Sequence, residues 1–410
     1  MKMSQKQKRI MFAVNTFALV YLMYFITQVT KAYIGLAYPE VSAVAVDRLL
    51  TVPNMVGLVI SFIIGPLSLR CSKVKLASCA IFFVTVYCMV FYITGRFHGS
   101  FQILYAGCFF AGCAQGTYAV MLNSIISAHF PAEQRSDRIA NYNVAMNIGA
   151  VLILRLAGKI AEADSGTQWY NAYLLGIVSL IGLLVFMIFC GKADADVPSV
   201  ELGSMAEQKE YSLRDIPAGV FGWVILMGLV HGLFYIGQYA FNINISSYII
   251  TEYHLGTSDE AGTAASLVRF SLVICTAMYP FFKKGLKDWM MPAGYFCVGL
   301  GLLVMIVFKS LAGVYVCACI IGLGTSLAHA TVYAQASRYV PLALVPAAMS
   351  FTWGVANTGS SSAVFVLDFL AGLLGGGMEK KLLAGLLASA AASAAAVYMY
   401  VIRKPIQNVD

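Results

Sequence analysis

Residues 104–150 read LYAGCFFAGCAQGTYAVMLNSIISAHFPAEQRSDRIANYNVAMNIGA, and residues 314–360 read VYVCACIIGLGTSLAHATVYAQASRYVPLALVPAAMSFTWGVANTGS. An offset of 210 positions superposes them without a gap. Tyr105 falls on Tyr315, Gly112 on Gly322, Ser127 on Ser337 and Pro131 on Pro341. Asn147-Ile148-Gly149 falls on Asn357-Thr358-Gly359, and glycines so placed let neighbouring helices approach closely. Tyrosine, glycine, proline and asparagine at fixed spacing are punctuation that bulk hydrophobicity does not reproduce. The chain is therefore read as a duplication, and a duplication of membrane helices places a solute site near the midplane of the repeat.

Outward from this pair, apolar runs recur at 10–38, 44–69, 76–95, 101–128, 138–160 and 171–190, then at 218–250, 262–282, 289–308, 312–337, 345–370 and 382–402. A run of roughly 20 apolar residues reads as a membrane-spanning helix. The expected fold is thus all-α and polytopic, with twelve transmembrane helices in two six-helix repeats. The expected domains are 1–190, a polar linker loop at 191–217, and 218–410. The first run is long and lacks a small-residue cleavage site, so it reads as an anchor.

Composition agrees. Of the 410 residues 60% are hydrophobic and 11% charged, with a mean hydropathy of +0.78, which leaves no room for an ordinary soluble domain. The net charge of +8 is no nucleic-acid signal. Of 27 Lys and Arg, 18 fall in segments that alternate to one side of the spans, and the positive-inside rule makes that side the cytoplasm. A multi-pass protein of the cytoplasmic (inner) membrane with both termini inside is expected. The ten cysteines lie mostly in apolar runs and read as small fillers; Cys317-Ala318-Cys319 has no metal-site spacing.

Between spans 2 and 3, Gly65-Pro66-Leu67-Ser68-Leu69-Arg70-Cys71-Ser72-Lys73 resembles the signature loop of the major facilitator superfamily, with Leu69 in place of an aspartate and Ser72 in place of a glycine. Phe130-Pro131-Ala132-Glu133-Gln134-Arg135 is similar to a turn common in that family. The resemblance covers essentially the whole chain. It implies a secondary transporter working by alternating access, with Gly65, Arg70 and Lys73 in a cytoplasmic gating loop. Tyr24 to Pro39 further resembles the first helix of the organophosphate/phosphate exchanger branch, where Lys31 takes the place of a phosphate-binding arginine. Gln238 stands where that branch keeps its second arginine, and a neutral amide lacks the bidentate, charge-assisted grip of a guanidinium.

Three cations sit inside apolar runs. Lys31 is about seven residues from the end of span 1, Arg155 about five from the end of span 5, and Arg269 about seven from the start of span 8. Each costs at least about 2.5–3.5 kcal/mol in hydrocarbon unless it meets water, a partner or a ligand. They read as one positive zone in the outer half of the membrane. Asp368, Asp47 and Glu40 are the carboxylates at comparable height that could pair with one or two of them. A positive zone favours an anion. Tyr33, Gln115 and Tyr118 in the first half, and His231, Gln238, Tyr239, Asn242, Trp353 and Asn357 in the second, are candidates to orient it, against the commoner role of such groups as interhelical hydrogen-bond glue. His231 also suits a proton switch.

The expected function is secondary active or facilitative movement of a small organic anion (carboxylate, sugar acid or phosphate ester), with a proton or counter-anion as the candidate coupling ion and uniport or exchange preferred. The alternatives are a non-transporting receptor of a similar anion and a proton-coupled carrier of a neutral or amphipathic solute. No catalytic residue, metal or cofactor is expected: Gly324-Thr325-Ser326-Leu327-Ala328 falls short of a nucleophile elbow, and there is no Gly-Lys-Ser/Thr phosphate loop. The expected partners are the solute and the lipid bilayer, with the protein a monomer.

Overall fold

The computed structural model describes residues 3–67, 71–130, 132–190, 218–339 and 345–402. All regular structure among them is helical. Hydrocarbon offers no partner for a backbone N–H or C=O, so an apolar run satisfies these groups within itself. Eleven helical spans of 19 to 33 residues are long and apolar enough to cross a membrane, and the remaining expected span, 345–370, is helical as part of Val345–Leu373. The structure divides into two compact units, Met1–Ala206 with Thr257–Ser266, and Glu207–Gly256 with Leu267–Asp410. The linker expected at 191–217 lies outside the described residues.

In the first unit, span 1 is not one straight helix. α1 (Gln5–Tyr21) gives way to a 3₁₀ turn, Leu22–Phe25, and then to α2 (Ile26–Ala37). α1 starts on a capping box between Ser4 and Gln7. At the bend, the Tyr87 hydroxyl of α5 (Lys73–Arg96) donates to the Tyr24 carbonyl at 3.1 Å. Span 2 is likewise two pieces, α3 (Ala43–Arg48) and α4 (Val52–Leu67). α6 (Phe101–His129), α7 (Ala132–Ala161) and α8 (Gly176–Cys190) complete the bundle, α8 being entered through a 3₁₀ turn at Trp169–Leu175.

The second unit holds α9 (Ala218–Ser247), α10 (Ser258–Ala277), α11 (Tyr279–Leu286), α12 (Met290–Phe308), α13 (Leu311–Tyr339), α14 (Val345–Leu373) and α15 (Met378–Ala396), except that the first turns of α10 group with the first unit. α10 begins four residues before the expected 262. The Glu260 carboxylate accepts from the Thr257 N–H and hydroxyl, both at 2.7 Å, and the Thr257 oxygen accepts from the Asp259 N–H at 3.2 Å. That is an N-terminal capping arrangement. The helix stops at Ala277, short of the expected 282, because Pro280 opens α11 and has no N–H to continue the ladder.

The register glycines do the same job in both units. A Cβ on Gly112 of α6 would lie 2.5 Å from Val56 Cβ of α4, and one on Gly322 of α13 would lie 2.5 Å from the Val268 carbonyl oxygen of α10. A Cβ on Gly149 would run into the Leu19 backbone of α1, and one on Gly359 into the Gly232 backbone of α9. Each pair of glycines therefore closes a matching helix crossing within its own unit. Gly149→Ala and Gly359→Ala should each lower the thermal unfolding temperature in detergent, through an overpacking cost of about 1–3 kcal/mol. Gly35→Ala, which meets nothing within 4 Å, should be neutral or mildly stabilising, since alanine is the better helix former. Equal behaviour of all three would refute the close-crossing role.

Candidate functional site

The interior of the first unit answers its charges internally. Lys31 on α2 points at Asp47 on α3, with Nζ 2.5 Å from the carboxylate and both side chains almost fully buried. Gln115 of α6 donates to Asn54 Oδ1 at 2.9 Å, and its own Oε1 is buried with no hydrogen-bond partner among the described residues. The Tyr118 ring lies flat on Tyr21, centroids 3.5 Å apart, inside an aromatic cluster with Phe17 and Tyr142. Tyr33 is buried; its hydroxyl accepts from the Ser258 N–H at 3.4 Å, and its ring fills the space beside Gly166, a residue with φ of +83°. Both rings pack against neighbouring groups of the same unit.

Arg155 of α7 meets the first turns of α10. Its Nη1 donates to the Asp259 carboxylate, to the Asp259 carbonyl at 3.0 Å and to Thr263 Oγ1 at 2.6 Å, with the arginine side chain 47% exposed. Gly158 and Gly262 bring the same two backbones together, and Ser258 and Ser266 donate to the Gly158 and Val151 carbonyls at 2.6 and 3.0 Å. Along α10, Arg269 lies ten residues beyond Asp259, about 15 Å at 1.5 Å per residue. The single depth expected for the cations does not hold, because α10 starts earlier than its apolar run suggests.

The polar interior of the second unit gathers on α9, α10, α12 and α13. His231 is fully buried, with Nδ1 2.9 Å from the Tyr295 hydroxyl. The His231 and His329 rings stand 5.4 Å apart, and the Arg269 charge reaches His329. Gln238 donates to Thr325 Oγ1 at 3.0 Å, and the Thr325 position is the repeat equivalent of Gln115. Arg269, Tyr239, Asn242 and Asn357 are half-buried, so part of each remains accessible. The backbones of Gly65 and Trp353 are helical while their side chains, and all of Arg70, lie outside the described residues. Lys73 is the first residue of α5, and Ser72, where the family keeps glycine, caps that helix by accepting from the Lys75 N–H at 3.4 Å. Asp368, expected near the cations, is instead paired with Lys381 at 2.7 Å.

Sequence reasoning missed Asp259, Tyr295 and Thr325. A signal for Asp259 exists: Thr257-Ser258-Asp259-Glu260 is a capping box in the letters and places Asp259 in the first turn of α10.

Two helical units, each with polar side chains in its interior, define a polytopic helical protein. The chain matches the profile of the Major Facilitator Superfamily over residues 9–367, and it belongs to that family. No curated protein matches it. Among solved structures it is similar to a POT family transporter in complex with 5-aminolevulinic acid, at 11% identity and TM-score 0.76, covering 95% of this chain and 94% of that one. It is also similar to a D-xylose-proton symporter, at 13% identity and TM-score 0.71, covering 97% and 98%. At such identities the likeness speaks for the fold.

Lys31→Met should destabilise the chain by about 3–5 kcal/mol by leaving the Asp47 charge buried, while Lys31→Met with Asp47→Leu should recover most of the loss. Unfolding in detergent measures the cycle. A single variant as stable as the wild type would return Lys31 to the role of a ligand-holding cation.

Proposed function

We propose that this transporter moves a small organic anion by alternating access, with Arg269 as the principal group that holds it. The observation that carries this reading is a half-buried guanidinium twelve residues into α10. A charge at that depth is costly unless it meets water, a partner or a ligand, and a half-buried arginine, rich in donors, is partly accessible to a solute. Gln238, Tyr239, Asn242 and Asn357 supply neutral donors and acceptors for the rest of the solute. Lys31 and Arg155, each already matched by a carboxylate, contribute less. Gly65, Arg70 and Lys73 belong to the gating loop by family likeness. The protein acts as a monomer in the cytoplasmic membrane with both termini inside. Uptake of carboxylates, sugar acids and phosphate esters into proteoliposomes is the test. Arg269→Gln should cut uptake of the active solute at least tenfold with unchanged folding, whereas Arg155→Gln should cut it less. Equal uptake by Arg269→Gln and wild type, or binding without uptake, would overturn the reading, the latter in favour of a receptor.

A second reading rests on the histidines. His231, Tyr295 and His329 make a contiguous set of groups able to exchange protons in the second unit, and the D-xylose structure cited above is of a proton symporter. If uptake is proton-coupled, an imposed pH gradient should accelerate it in the absence of internal solute, and His231→Gln should abolish the acceleration. Indifference to the gradient with stimulation by internal anion would mark an exchanger.

A further inference from the structure

The first unit carries a separate cavity of about 700 Å³ at the end where α2 finishes, inside the range of roughly 300–1,000 Å³ typical of small-molecule sites. Tyr38, Glu40, Arg48, Phe101, Tyr105 and Trp169 line it. The Tyr38 hydroxyl donates to the Gly99 carbonyl at 3.0 Å and the Tyr105 hydroxyl to the Ala45 carbonyl at 2.7 Å. Each phenol has thereby used its only hydrogen and keeps an oxygen that can accept. The two charges stand beside different phenols. Burial first, and then the neighbouring Glu40 carboxylate, raise the Tyr38 phenol above its ordinary value, while the Arg48 charge acts on Tyr105. Phe101 and Trp169, 6% and 2% exposed, supply an apolar wall.

A lining with the Arg48 guanidinium, the Glu40 carboxylate, two accepting phenols and the His98 imidazole is bipolar. A simple anion would face Glu40, a simple cation would face Arg48, and an apolar solute would use neither charge. We propose that this cavity binds a small zwitterion, its carboxylate or phosphate on Arg48, its ammonium on Glu40 and the Tyr38 phenol oxygen, and its apolar body against Phe101 and Trp169. The site involves neither Arg269 nor the solute assigned to it, so the two proposals fail independently. The same bipolar chemistry belongs to free amino acids and to an ethanolamine lipid headgroup.

The test uses the full chain in phosphatidylglycerol nanodiscs and three probes of one shape: phenylalanine, 3-phenylpropionate without the ammonium, and phenethylamine without the carboxylate. A ligand bound only to the folded state raises apparent stability, so thermal shifts rank them. Phenylalanine should bind best. Glu40→Gln should weaken it at least tenfold and remove its advantage over 3-phenylpropionate; Arg48→Gln should remove its advantage over phenethylamine. Glu40 is exposed, so its variant decides the matter even if Arg48→Gln unfolds. Phosphatidylethanolamine that displaces phenylalanine, or binds alone and loses affinity in the same variants, supports the site with lipid as its source. No binding by either source, or binding indifferent to both substitutions, overturns the proposal.

Discussion

A charge inside hydrocarbon needs water, a ligand or an opposite charge, and the Lys31–Asp47 pair at 2.5 Å shows what the last of these demands of this backbone. Asp47 lies in the last turn of α3, a helix of six residues, too short to stand alone in water. It is held from outside. Lys31 grips its carboxylate, Tyr105 of α6 donates to the Ala45 carbonyl at 2.7 Å, and the Cys108 thiol donates to the Leu49 carbonyl at 3.3 Å. The turn at Leu49–Thr51 separates α3 from α4 just beyond the residue that neutralises Lys31. The same short helix supplies Ala45 and Arg48 to the cavity at that end of the unit.

Where charges do not dictate the packing, small residues do. Helices in lipid gain little from burying apolar surface against one another, so close approach and interhelical hydrogen bonds must supply the association. The pairs Gly112 with Gly322 and Gly149 with Gly359 mark crossings made twice by one ancestral bundle. The interiors around those crossings have diverged. The first unit fills its centre with stacked tyrosines, Tyr21 on Tyr118, whereas the second places His231, His329 and Arg269 there. The architecture was copied and the chemistry was not.

That contrast sets what could be read from the letters. The spans and the duplication were legible because hydropathy and glycine spacing are local and repeated. The fate of Lys31 was not. Its pairing depends on a chain break at Leu49–Thr51 that an apolar average smooths over, although Asp47 was visible among the carboxylates at the right height. Arg155 and Arg269 were placed at one depth because the apolar run, not the capping box at Thr257, set the start of α10. The packing roles of Tyr33 and Tyr118 depend on partners far away in sequence, Ser258 and Tyr21, which no pattern of spacing announces.

α10 concentrates the remaining argument. Its first turn is tied to α7 by Arg155–Asp259, by two serine-to-carbonyl bonds and by the Gly158–Gly262 approach, and the same rigid rod carries Arg269 ten residues on. The Arg155 ion pair is half exposed, and such pairs are worth about 0–1 kcal/mol. It resists little. The Ser258 hydroxyl is buried and donates to the Gly158 carbonyl, and the glycines bring backbone to backbone, whereas Ser266 also donates to the Gly262 carbonyl of its own helix at 2.7 Å, so separation of α7 from α10 would strand the Ser258 hydroxyl and open the glycine crossing. A ligand shifts a conformational equilibrium only by its differential affinity for the two states. Any ligand that favours a shifted α10 must therefore outweigh the Ser258 and glycine contacts more than the salt bridge, and the resistance sits in residues that carry no charge.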